Sequence, residues 1–327
     1  MGVSCDKGGT PVLQICKSNC TALTEYTLGT LEKGAWLNLI SPTADELNSV
    51  AALTGLPMDV LKAALDEEER SHVEIDDNYI FVVTNIPMMR GRDSYDTLPL
   101  GMIITPDLFI TVCLENNEVL KAFNNDSART FSTFKKTRFL FQIMYKSATL
   151  YLKYLQQINR RTDEIEKQLR QSMKNEEFFQ LLELQKGLTF FTASLRSNGI
   201  VMEKMLRLRT NNALRHLIKM YEEDEDLLED VIIENKQAIE MVEMYSNILS
   251  SMMDAFASII SNNLNMVMKL LASMTIVLAI PTMLASFWGM NVAVPFKDAE
   301  AGFWFVVAIS LAITSIMAYV LWRKRLF

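Results

Sequence analysis

Histidine is nearly absent from this chain, with two in 327 residues, and cysteine is scarce, with four. His72 and His216 lie far apart in sequence. Three thiols (Cys5, Cys16, Cys20) crowd into the first twenty residues, leaving Cys113 alone. Neither pattern has the spacing of a zinc site or of a disulfide framework, so the bulk of the chain is predicted to occupy a reducing compartment. Glycine (12) and proline (8) are too few for a collagen-like or low-complexity chain. A basic excess is missing too. With 32 Lys+Arg against 39 Asp+Glu the net charge is -7, which argues against nucleic acid as the main partner, because phosphate binding needs clustered Lys and Arg. The opening MGVSCDKGGT lacks the apolar stretch of a secretory signal, and Asp6 breaks the myristoylation pattern. There is no Walker loop, no Gly-x-Ser-x-Gly, no His-Glu-x-x-His and no Gly-x-Gly-x-x-Gly. No hydrolytic centre is expected, and the protein is not read as an enzyme.

What is abundant is apolar surface, and it is local. Half of the residues are hydrophobic, and the excess sits at the C-terminus. No charge occurs from Leu270 to Phe296 or from Ala301 to Trp322. A membrane span needs about 20 apolar residues, so both runs qualify, and the second ends against Arg323, Lys324 and Arg325. Two spans put both termini on one side. The basic tail and Lys269 place that side in the cytoplasm, with the short 291–300 loop outside. A large N-terminal cytoplasmic body is thus expected on a two-helix anchor in the cell membrane.

That body changes texture near residue 126. Residues 1–126 read as mixed α/β: AWLNLI (35–40), YIFVVTNI (79–86), LGMIIT (100–105) and LFITVCL (108–114) look like strands. Thr43 and Glu46 make a capping box for a helix to about Leu53, and Pro57 opens a second helix, 57–65, that runs into Asp66-Glu67-Glu68-Glu69. Residues 127–269 carry apolar residues at helical spacing with almost no Pro or Gly, and residues 270–327 are the membrane part. The periodicity predicts helices over 127–171 and 176–220, a turn at Ser172–Asn175, an acidic link YEEDED (221–226), and a long helix from Leu227 into the membrane. At 1.5 Å per residue, about 60 helical residues span roughly 90 Å, a length suited to coupling a cytoplasmic domain to a span.

The long helix carries the most informative pattern. Alternate steps of four and three from Asp254 give Ser258, Ser261, Asn265, Met268, Ala272, Thr275, Ala279, Thr282, Ser286 and Gly289, each small, polar or Met. Phe256, Ile260, Leu264, Val267, Leu271, Met274 and Leu278, all large, are assigned to the opposite face. A helix immersed in lipid gains nothing from hydroxyls and an amide on one 3.5-residue line. It gains if that line meets copies of itself around an axis. Small-residue packing in a dry helix pair is the plainer alternative. Asn265 and Asp254, near the cytoplasmic mouth, favour a wetted path. One helix supplies one wall, so a pore requires a ring of subunits.

Gly289-Met290-Asn291, after Phe287-Trp288 at the outer end of the first span, resembles the Gly-Met-Asn signature of the CorA magnesium transporters. The two C-terminal spans, the short acidic outer loop, the basic tail and the order of α/β domain then long helix are similar to that family across essentially the whole chain. Two departures touch the pore mouth: Trp288 stands where Tyr is usual, and Pro281 is one residue out of step with the motif.

The resemblance implies a homopentameric channel, with five first spans lining the path and five long helices forming a cytoplasmic funnel. Mg²⁺, transported and regulatory, would be drawn by a ring of Asn291 carbonyls and Gly289 backbone carbonyls without losing its waters. Asp298 and Glu300 would concentrate cations outside. Asn265, Met268, Ala272, Thr275, Ala279, Thr282 and Ser286 would line the pore, with a dewetting barrier near Met268, Leu271 and Ala272, and a positive collar from Lys269 and the tail. Regulatory Mg²⁺ between subunits would involve Asp230, with Asp254 nearer the pore. The usual position of Asp230's partner holds Lys62 and Ala63, so Asp66 or Glu67, one turn later, is the candidate. A merely solvated acidic surface is the alternative. The expected partners are divalent ions, the lipid bilayer and further copies of this chain. Zn²⁺ transport by the same fold and a non-conducting metal sensor or scaffold are the rival functions.

Overall fold

The computed structural model describes residues 13–18, 22–172, 175–208, 216–291 and 302–324. They fall into two compact units, Met1–Ser250 and Ser251–Phe327.

The first unit is built on seven strands: β1 (Leu13–Ser18), β2 (Leu23–Glu25), β3 (Trp36–Ile40), β4 (His72–Ile75), β5 (Ile80–Met89), β6 (Tyr95–Ile104) and β7 (Phe109–Cys113). Their order is β2-β1-β3-β7-β6-β5-β4, and only β3 and β7 run parallel, with Trp36 opposite Phe109. The central strands read as continuous apolar runs because both faces are covered. All five residues of β7 are buried.

Helices α1 (Ala44–Thr54) and α2 (Met58–Ala63) cover one face, where Leu47, Val50, Val60 and Leu61 pack with Leu37, Leu39, Phe81, Val83 and Ile110. The expected capping box opens α1: Thr43 N donates to Glu46 Oε2 at 2.8 Å, and Glu46 N to Thr43 Oγ1 at 3.3 Å. Gly55 closes it at φ 72°, the left-handed conformation that glycine adopts without strain. A short helix, α3 (Glu118–Lys121), follows β7.

Helices α4 (Lys136–Ser172) and α5 (Asn175–Leu208) cover the other face. Phe139 on α4 sets its ring 5.2 Å from Trp36 and 4.9 Å from Phe109, while Phe191 on α5 lies 5.0 Å from Tyr151. Each such ring contributes roughly 1.5–3 kcal/mol by leaving water. Buried polar atoms are tied across the same layer. Asn198 donates to the Asn85 carbonyl at 2.8 Å and accepts from Asn85 N at 2.9 Å, and Tyr151 donates to that carbonyl at 2.9 Å.

Three expected boundaries move. Helix α4 starts at Lys136 because Ser127 and Thr130 hydroxyls bond to the carbonyls of Ala122 and Ser127, both at 2.7 Å, and so compete with helical pairing. Helix α5 is described to Leu208; residues 209–215 lie outside the described residues, as do 173–174 in the expected turn, and 216–221 are not helical, so the expected end at 220 is not reached. The acidic link is no link. It forms the first turns of α6 (Glu222–Trp288), where Asp224 is buried, accepts from Tyr221 N at 3.2 Å and faces Arg138 at 3.4 Å. Carboxylates suit a helix N-terminus, whose unpaired N–H groups point outward.

In the first unit α6 buries Leu228, Val231, Asn235, Ala238, Val242 and Leu249. The second unit holds the rest of α6 and α7 (Gly302–Arg323). Both helices are long and apolar enough to cross a membrane, and only 6% and 11% of their most apolar windows is buried. Core helices would be far better covered. The expected outer loop, of which 292–301 includes Asp298 and Glu300, and the tail from Arg325 lie outside the described residues.

Candidate ion pathway

The polar line on α6 stays open. Asp254, Ser258, Ser261, Asn265, Met268, Ala272, Thr275, Ala279, Thr282, Ser286 and Gly289 are all exposed in the single chain, Met268 at 57%. The same alternation carried toward the N-terminus passes Ser251, Asn247, Met244, Glu240, Gln237 and Ile233 and ends on Asp230, and these too are exposed. Of these only Ile233 departs from the small, polar or Met character of the line, and the 3.5-residue step in the sequence is the signal that marks the extension. An unbroken 3.5-residue repeat calls for a left-handed supercoil.

Helix α7 covers the other side. Ser273 is 3% exposed, Val277, Pro281, Leu284 and Trp288 are half-buried, and the Trp288 ring lies 6.3 Å from Phe305. This corrects the expected opposite face. Leu264, Val267, Leu271, Met274 and Leu278 remain more than half exposed. At about 100° per residue, most of that line lies on a flank of the helix, roughly a quarter-turn from the polar line. The side facing directly away holds the smaller Ser273 and Val277, which let α7 approach.

Local chemistry decides what the polar line can offer. Thr275 Oγ1 donates to the Leu271 carbonyl at 2.8 Å and Thr282 Oγ1 to the Leu278 carbonyl at 3.0 Å; Ser258 does the same to Asp254 at 3.0 Å. With their protons committed to the helix, these hydroxyls present only lone pairs outward. The helix closes tightly at its C-terminal end: Gly289 N donates to the Ala285 carbonyl at 3.0 Å, and a Cβ added at Gly289 would sit 3.3 Å from that oxygen. Met290 and Asn291 follow, both exposed.

The carboxylates are placed differently. Asp66, Glu67, Asp230 and Asp254 are all exposed, and Asp66 accepts from Glu68 N at 3.0 Å in the turn after α2. Among the described residues no three His, Cys, Asp or Glu side chains gather as a metal site. A single chain therefore brings none of these four into a shared cluster. Burial pushes the Cys16 and Cys113 thiols up to about 11, which keeps them protonated and poor ligands at neutral pH.

An α/β domain behind long helices, ending in two lipid-facing spans with a line of outward oxygen acceptors on the first, defines a membrane protein built to handle cations. Residues 32–325 match the model of the CorA-like Mg2+ transporter protein family, and the chain belongs to that family. It is 27% identical over 299 residues to the cobalt/magnesium transport protein CorA of Methanocaldococcus jannaschii, covering 88% of this chain and 90% of the relative. The protein of the same description from Thermotoga maritima is 21% identical over 296 residues, 89% of this chain and 82% of that one. The complete structure of the CorA magnesium transporter from M. jannaschii superposes with a TM-score of 0.80 at 24% identity, over 96% of this chain and 98% of that one.

Proposed function

We propose that five copies of this chain enclose a pore for passive, gated uptake of divalent cations, chiefly Mg²⁺ and with it Co²⁺ or Ni²⁺. The observation that carries this reading is the exposed line from Asp254 to Gly289, turned away from α7 and ending at Gly289-Met290-Asn291. Residues 1–126 and 127–269 form the cytoplasmic domain and its long helices, residues 270–327 the spans, and both termini are cytoplasmic.

Mg²⁺ holds its waters tightly, so a pore for it contacts the hydrated ion through neutral oxygens. Asn291 amide oxygens at the mouth and the acceptor-only hydroxyls of Thr275 and Thr282 are such groups. Neutral acceptors draw a cation without the deep trap of five carboxylates, and conduction needs release as much as binding. Met268 and Ala272 form the apolar barrier above Asn265. An inside-negative potential supplies about 2.3 kcal/mol per charge per 100 mV, twice that for a divalent ion. Mg²⁺ held between Asp230 of one copy and Asp66 or Glu67 of the next closes the pore when cytoplasmic Mg²⁺ is high. Asp254 acts nearer the pore.

Uptake into proteoliposomes, followed with an internal Mg²⁺-sensitive dye, tests the reading. The native protein raises the signal and Asn291→Ala abolishes the rise. A flat signal from the native protein sinks transport. Asp230→Ala leaves flux high at millimolar Mg²⁺; unchanged inhibition removes Asp230 from the sensor.

A further inference from the structure

Helix α6 meets α5 through a few polar side chains, and its other buried positions along that stretch are apolar. On α6, Leu228, Val231, Ala238, Val242 and Leu249 repeat at coiled-coil spacing, and Asn235, 2% exposed, interrupts them. Its Nδ2 donates to the Leu195 carbonyl of α5 at 3.0 Å, and its Oδ1, equally buried, has no partner. Gly199 lies beside it, where a Cβ would sit 3.3 Å from Nδ2, close enough that the amide would have to give by a few tenths of an ångström. Farther along the seam, Gln185 Nε2 lies 3.3 Å from Ser246 Oγ and 3.2 Å from Ser250 Oγ, two hydroxyls one helical turn apart. The two amides differ in kind. Gln185 straddles successive turns and tolerates an axial shift of α6, whereas Asn235 fits only opposite Leu195 and Gly199.

A lone buried asparagine in an apolar helix seam selects one register at a cost in stability, because any shift buries its amide against aliphatic side chains. We propose that Asn235 is a positioning residue that locks the axial register of α6 on α5. Helix α6 is continuous from Glu222 to Trp288, so a shift at Asn235 is carried along the helix that bears the exposed line. The register lock stands on the seam alone; its consequence for ion flux rests on the pore reading above.

Cross-linking in the full-length protein tests it. Cys5 and Cys20 are changed to Ser, and Arg196→Cys is paired in turn with Ile239→Cys, Glu243→Cys or Asn247→Cys, three positions a turn apart on α6. Arg196 and Glu243 form a 2.6 Å surface ion pair, so a short bismaleimide should join position 196 to 243 far better than to the other two. Adding Asn235→Leu should cut the 243 product at least threefold and raise the 239 or 247 product. An unchanged pattern overturns the lock. If the leucine variant fails to fold, Asn235→Ala, which removes the amide and its bond to Leu195 without adding bulk, should shift the pattern in the same way, and a native pattern there also overturns it. Dye-reported uptake by the same proteins separates the two readings: a moved cross-link with intact Mg²⁺ control leaves the lock standing and detaches it from gating.

Discussion

Leu37 in the first unit and Leu278 in the second are the same residue in opposite circumstances, one fully buried and one 67% exposed. Strands β5 to β7 hide their apolar side chains from water between two helical layers, while α7 and the second-unit part of α6 display most of theirs. The difference shows which solvent each part answers to. In the first unit apolar residues carry the fold and the polar ones must be accounted for individually. In the second, apolar residues are the background, and the polar minority on one line carries the information.

Substitutions should break the symmetry of that comparison in a graded way. Leu37→Ala or Phe139→Ala, both in closed layers, should each cost about 3–5 kcal/mol and lower the melting point of the detergent-solubilised protein by several degrees. Arg161→Ala comes next. This side chain is 11% exposed and reaches Asp93 through bonds of 2.6 and 3.1 Å; its loss would leave that half-buried carboxylate without a cation, at about 2 kcal/mol. Thr282→Val keeps shape and fold but removes the outward lone pairs, so melting should hold while dye-reported Mg²⁺ uptake falls severalfold. Leu278→Ala should leave melting in detergent within about 0.5 kcal/mol, the scale of a surface change. Smallest of all, Cys16 and Cys113 in a Cys5→Ser, Cys20→Ser protein should ignore a maleimide at pH 8, below their raised values of about 11, until denaturant opens the sheet. Rapid labelling of the folded protein would show those layers to be open.

Much of this was readable beforehand where local chemistry and tertiary context agree. The Thr43–Glu46 box, the runs that became β3, β5, β6 and β7, and the two spans all announce themselves. Strands β1, β2 and β4 did not, because Leu13–Ser18 and His72–Ile75 are short, mix polar with apolar residues, and sit at or near the sheet edges. The start of α6 was hidden by its acidity: Glu222–Asp226 looks like a solvated linker until Arg138 and the Tyr221 amide are brought to Asp224 by the fold. The 3.5-residue line was legible from Asp254 to Gly289, but which flank α7 takes was not, since residue size on a membrane helix does not say where its neighbour lies. Asn235 gives no signal in the sequence at all, being one polar letter in an ordinary amphipathic pattern.

The threonines on α6 have one further consequence. Hydroxyls that spend their hydrogens on the carbonyls four residues back cannot solvate a negative ion, which asks for donors, while the hydrogens of a cation's own water shell find acceptors all along the helix. Chloride meeting the two threonines would shed hydration and receive no donor from either hydroxyl in exchange. In the pore proposed above, charge-sign discrimination would then follow from the intrahelical bonding of Thr275 and Thr282, with no formal charge required there.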